Sequence, residues 1–121
     1  MIDNDLLAFI RSLRSVWTVE LATLLRRNAG RGVAPEELIR ELRASDRVVS
    51  DGLELLQAAG IVVAEHDGTY RYAPASPTIE DLVQRLEKLH RDRPTAVTRA
   101  MFSAPSDKLQ SFADAFRLKK D

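Results

Sequence analysis

Cysteine is absent from the sequence, which excludes disulfides, thiolate metal sites and cysteine nucleophiles together. Only His66 and His90 supply imidazoles, so most of the usual tools of catalysis are missing. Net charge is absent too: 18 basic and 18 acidic side chains cancel, leaving no overall field to gather the protein onto nucleic acid or an anionic membrane. Any nucleic-acid site has to be a local patch. Long apolar runs are also lacking, stretches such as IVVA being far below the roughly 20 residues that cross a bilayer. The opening MIDNDLLAFIR is acidic where a secretory signal would be basic, so the expected location is cytoplasmic with no membrane partner.

What is present suits one soluble globular unit. Hydrophobic residues make up 45% of the 121 and charged residues 30%, with only five Gly and five Pro. In DNDLLAFIRSLRSVWTVELATLLRRNAGRG, apolar residues recur at spacings of three and four from Leu6 to Leu13 and again from Val16 to Leu25. Ser15 is placed to cap the second run, which predicts a short helix handing over to a longer one. APEELIRELRAS follows with Pro35 at a first helical position and Glu36 and Glu37 at the positive end of the dipole. Then SDRVVSDGLELLQAAG has Ser45 as N-cap, Val49, Leu53 and Leu56 as its inner face and Gly60 as a left-handed stop. The gap at Arg43 and Ala44 is so short that these two helices must meet steeply across a tight turn.

IVVAE and TYRYA flank HDGT and read as two short strands. Asp67-Gly68 serves as a two-residue hairpin turn, which would oppose Val63 to Tyr72 and gather Ile61, Val63, Tyr70 and Tyr72 on one face. APASPT marks the end of a first unit at 1–75, leaving 76–121 as a helical extension. Within it, 78–92 is amphipathic with Thr78 as the expected cap, Pro94 starts another helix, and 107–121 presents Leu109, Phe112, Ala113 and Phe116 on one side.

The order helix, helix, tight turn, helix, hairpin is that of a winged helix-turn-helix. With VWTVELATLL, EELIREL and LELLQAAGIV running into EHDGTYRYA, residues 15–75 resemble the MarR/PadR-like branch of bacterial winged-helix regulators. The resemblance implies a mainly α fold with a small β-hairpin wing and a C-terminal helical extension that pairs two subunits. It implies duplex DNA as partner, read by the helix at 45–59 and the wing at 61–73, with no catalytic activity and no cofactor. The residues it assigns to DNA are Arg43, Ser45, Arg47, Ser50, Asp51, His66 and Arg71, with Arg47 the guanine reader and Ser50 a phosphate or base donor. No residue pattern identifies a small-molecule effector.

Asp46, Asp51 and Glu54 bring carboxylates to the same helix face, and near phosphates they repel. Together with the neutral net charge they leave a second reading open, a winged helix that docks protein without touching DNA. Basic help is available from Arg26, Arg27 and Arg31, although surface arginines are commonly just solvated or paired, as Arg40 between Glu37 and Glu41 suggests. His66 lies at an exposed hairpin tip without a pocket, and His90 is a lone helix-surface imidazole, so neither marks a reaction centre. GRG at 30–32 lacks the Lys-Ser/Thr of a phosphate-binding loop. Mid-helix Gly52 implies a close approach by a neighbouring helix, and Trp17, Phe9, Tyr70 and Tyr72 read as core.

Overall fold

The structure, a computed structural model, describes residues 2–102; the helix expected at 107–121 lies outside the described residues. Six helices and one antiparallel strand pair are described, in the order α1 (Asn4–Leu13), α2 (Val16–Arg27), α3 (Pro35–Leu42), α4 (Asp46–Ala58), β1 (Val62–Ala64), β2 (Tyr70–Tyr72), α5 (Pro77–Asp92) and α6 (Pro94–Phe102). None of the described helices is long and apolar enough to cross a membrane.

Capping residues fix the boundaries. Asp3 accepts from the Leu6 amide at 2.8 Å to start α1. Ser15 accepts from the Trp17 amide at 3.0 Å to start α2, as its position predicts. Arg14, between them, takes a left-handed φ of 70°, so α1 and α2 are separate rods joined at a corner. Arg43 does the same at φ 55° between α3 and α4, and Ser45 then accepts from the Val48 amide at 3.1 Å. Gly60 has φ +77° and closes α4, where any larger residue would be strained and would press on Ala75 and Ile79. At α5 the cap is Ser76, accepting from the Ile79 amide at 3.2 Å, in place of the expected Thr78. Pro77 has no amide hydrogen to leave unsatisfied and fits the first helical position, which moves the start upstream.

α2 is the central rod. Its buried residues Thr18, Val19, Leu21, Ala22, Thr23, Leu24 and Leu25 cover most of its circumference, so α3, α4, β2 and α5 can all pack on it. Val49, Leu53 and Leu56 of α4 turn inward against it, as the leucine spacing predicts. α5 and α6 close the other side: Val83, Leu86, Val97 and Met101 are buried in one cluster with Leu6, Ile10 and Leu13 of α1.

The hairpin departs from expectation by one residue. Val62 pairs with Tyr72, Val63 with Arg71 and Ala64 with Tyr70. The Glu65 amide donates to the Thr69 carbonyl at 2.8 Å and the Gly68 amide to the Glu65 carbonyl at 3.1 Å. His66, Asp67 and Gly68 therefore form a three-residue connection with Gly68 left-handed at φ +87°. Because side chains alternate, this shift puts Val62 in place of Val63 beside the buried Tyr72 and leaves Val63 exposed. A third short segment joins the sheet edge: Val33 and Tyr70 exchange amide-to-carbonyl bonds, each 2.8 Å. Gly32 permits that approach, since a Cβ there would stand 2.2 Å from Thr69 Oγ1.

Candidate nucleic-acid interface

The turn between α3 and α4 and the first half of α4 carry five of the seven residues that the resemblance would assign to DNA. Arg43 occupies the left-handed position that ends α3, Ser45 caps α4, and Arg47, Ser50 and Asp51 follow on the outer side of the helix, all exposed. The amides of a helix start carry partial positive charge, so this end of α4 favours an anion near Ser45. Arg47 is 87% exposed along its side chain and, among the described residues, pairs only with Asp51, 3.5 Å away at i,i+4. Such an exposed pair contributes little and releases Arg47 readily.

His66 and Arg71 sit on the hairpin. Ile61 donates its amide to the Leu56 carbonyl at 2.9 Å, which ties the hairpin to the C-terminal end of α4. Arg71 is half-buried and held by Glu65 at 3.1 Å, while His66 is exposed at the turn. Among the described residues neither makes a hydrogen bond or ion pair to α4. Beside His66, Asp67 accepts from the Thr69 hydroxyl at 2.6 Å and from its amide at 3.1 Å. Those bonds hold the Asp67 carboxyl below its usual range, so the tip carries a firm negative charge.

The other arginines divide by partner. Arg26 bridges Glu80, at 3.2 Å, and Glu87, so it fastens α2 to α5. Arg31 holds Glu37 at 2.6 Å, and its guanidinium keeps that carboxyl well below the usual carboxylate range. With Glu37 engaged by Arg31, Arg40 forms no ion pair among the described residues, contrary to the flanking expected from sequence. Arg40 on α3, Arg43 at the turn and Arg47 on α4 are all exposed. The exposure of these positions follows from helix position; the hydrogen-bonded pairing of Glu37 with Arg31, Arg40 acting on that carboxylate only through its charge, does not.

Trp17 departs from its expected place in the core, being 43% exposed. Apart from Trp17 and Arg27, α2 is buried or half-buried, and Trp17 stands in its first turn, just after the α1–α2 corner. It borders a groove of about 550 Å³ between the start of α2 and the side of α4, lined also by Val48, Asp51, Gly52, Glu54 and Leu55. Gly52 has the expected close neighbour, since a Cβ there would lie 2.8 Å from Leu21 Cδ2 of α2.

His90 lies on α5 with Nε2 3.6 Å from Glu20 Oε2. Among the described residues no cluster of three or more His, Asp or Glu side chains is set to hold a metal ion. No protein-family model matches this chain and no curated protein matches it.

Proposed function

We propose that the protein is a winged helix-turn-helix regulator that binds duplex DNA, with the N-terminal half of α4 in the major groove and the hairpin as a wing on the backbone. The observation that carries this reading is the exposure of Arg40, Arg43, Arg47, Ser45 and Ser50 around the α3–α4 turn and the positive end of α4. Arg47 has the fork for guanine O6 and N7, Ser50 a donor, and Arg40 and Arg43 the positions of phosphate clamps. Arg71, already neutralised by Glu65, adds a backbone contact only when it leaves that partner.

Pairing of two copies completes the reading, because helix-turn-helix proteins commonly read two half-sites one DNA turn apart. The inner faces of α5 and α6 are used within the chain, so a homodimer would form through the outer side, where Leu82 of α5 and Phe9 and Ala8 of α1 line a shallow groove.

Protein docking without DNA is the second reading, and Asp46, Asp51 and Glu54, exposed along α4, favour it. Electrophoretic or anisotropy titration with mixed duplex at low salt separates the two, since phosphate attraction is then greatest. Binding that weakens steeply with added salt supports the DNA reading. Absence of binding at low salt gives the lead to protein docking.

A further inference from the structure

The groove beside Trp17 is left largely unused by the DNA reading, Asp51 being the one wall residue that it takes. Its α4 wall is a helical stripe, Val48, Asp51, Gly52 and Leu55, at spacings of three and four. Val48 and Leu55 are half-buried, Trp17 is 43% exposed opposite them, and Asp51 and Glu54 stand exposed on the rim. An aromatic ring over a half-dry apolar floor with carboxylates at its edge suits an aromatic-and-basic segment.

Such a segment exists in this chain. In LQSFADAFRLKK, at 109–120, helical spacing would put Phe112 and Phe116 on one face with Lys119 and Lys120. The route to the groove is short. α6 runs alongside α1 in the same direction: Pro94 and Thr95 share a cleft with Ile2 and Leu7, and Arg11 Nε donates to the Ala100 carbonyl at 3.3 Å. Phe102, 57% exposed, therefore leaves α6 near the end of α1, where Leu13, Arg14 and Ser15 continue into the groove wall. The remaining chain to Asp121 reaches tens of ångströms at about 3.3 Å per residue, well beyond that gap.

We propose that this groove is the docking site of the chain's own segment 109–120, with Phe112 and Phe116 against Trp17, Val48 and Leu55 and with Lys119 and Lys120 facing Asp51 and Glu54. The contact is within one chain and does not depend on DNA binding. It covers the flank of α4 and neutralises carboxylates that repel phosphate.

Trp17 is the only tryptophan, so its fluorescence in the full chain reports on the groove directly. Emission maximum and acrylamide quenching are compared for wild type, Phe112→Ala/Phe116→Ala and Lys119→Glu/Lys120→Glu. The expected result is a red-shifted, more readily quenched Trp17 in both variants. Adding Asp51→Lys/Glu54→Lys to the lysine-reversed chain is expected to return quenching toward wild type. Identical Trp17 spectra and quenching in wild type and both variants would overturn the proposal. So would wild-type quenching that changes with protein concentration, which would assign the groove to a segment from a second copy.

Discussion

Tyr72 donates its phenolic hydrogen to Glu80 Oε1 at 2.5 Å, a bond that fastens the hairpin to the first turn of α5. Arg26 of α2 holds the other carboxylate oxygen at 3.2 Å, so one carboxylate joins three elements. The Tyr72 hydrogen bond, followed by Arg26, keeps the Glu80 carboxyl below its ordinary value of 4.5. Burial and the neighbouring carboxylate push the Tyr72 hydroxyl up, so it stays protonated as a donor throughout the neutral range.

A group whose carboxyl is depressed by folding stabilises the fold above its unfolded value and loses that contribution as pH falls through the folded value. Tyr72→Phe removes the donor and is expected to lower stability by about 1 to 2 kcal/mol near neutrality, where Glu80 is charged. Well below the ordinary value of 4.5, once Glu80 has taken up its proton, the difference between wild type and variant should shrink. Urea unfolding of both proteins at the two pH values measures it. An equal difference at both would mean that the Glu80 charge plays no part.

The helical part of this arrangement was legible in the sequence because capping and apolar period are local. Ser15, Ser45 and Gly60 act where their positions in the chain say they should. The hairpin register was not legible, since Asp67-Gly68 fits a two-residue and a three-residue connection equally and only the packing of Val62 and Tyr72 on the core chooses between them. Val33 was missed because a single bridging residue leaves no alternation to read. The exposure of Arg43, Ser45, Arg47 and Ser50 was legible from helix position. The pairing of Arg31 with Glu37 and the exposure of Trp17 depend on tertiary neighbours that no local pattern encodes.

Gly52 tests the fit of α4 on α2. Alanine is the better helix former by up to about 1 kcal/mol, yet its methyl would meet Leu21 Cδ2 at 2.8 Å. Leu21 is only 1% exposed and has little room to move. Overpacking of about 1 to 3 kcal/mol should outweigh the helix gain, so Gly52→Ala is expected to unfold at lower urea than wild type. A higher midpoint would show that the α2–α4 contact yields without strain.

Dimerisation through the outer side of α1 and α5 predicts that light scattering gives twice the chain mass for the full-length protein. Ala8 is exposed between Asp5 and the Asp81 carboxylate that lines the same groove. Ala8→Glu adds a like charge there without disturbing the core, and the variant is expected to be monomeric with unchanged unfolding. A monomeric wild type at the highest concentration tested would refute the dimer, and a dimeric variant would move its interface elsewhere.

Arg47 and Arg40 should fail in different ways if the first is a base reader and the second a phosphate clamp. Removing Arg47 breaks only a 3.5 Å surface pairing with Asp51, so Arg47→Ala should leave stability within about 0.5 kcal/mol of wild type. Its effect should fall on a preferred duplex, weakening it by about 1 to 3 kcal/mol while sparing random sequence, because a bidentate contact to guanine discriminates among bases. Arg40→Ala should instead weaken all duplexes alike and reduce the salt dependence by about one released counterion. Competition titrations of each variant over a range of salt, on preferred and random duplex, read both quantities at once. If Arg47→Ala lowers affinity for every sequence equally, Arg47 is a phosphate contact and α4 does not read bases through it.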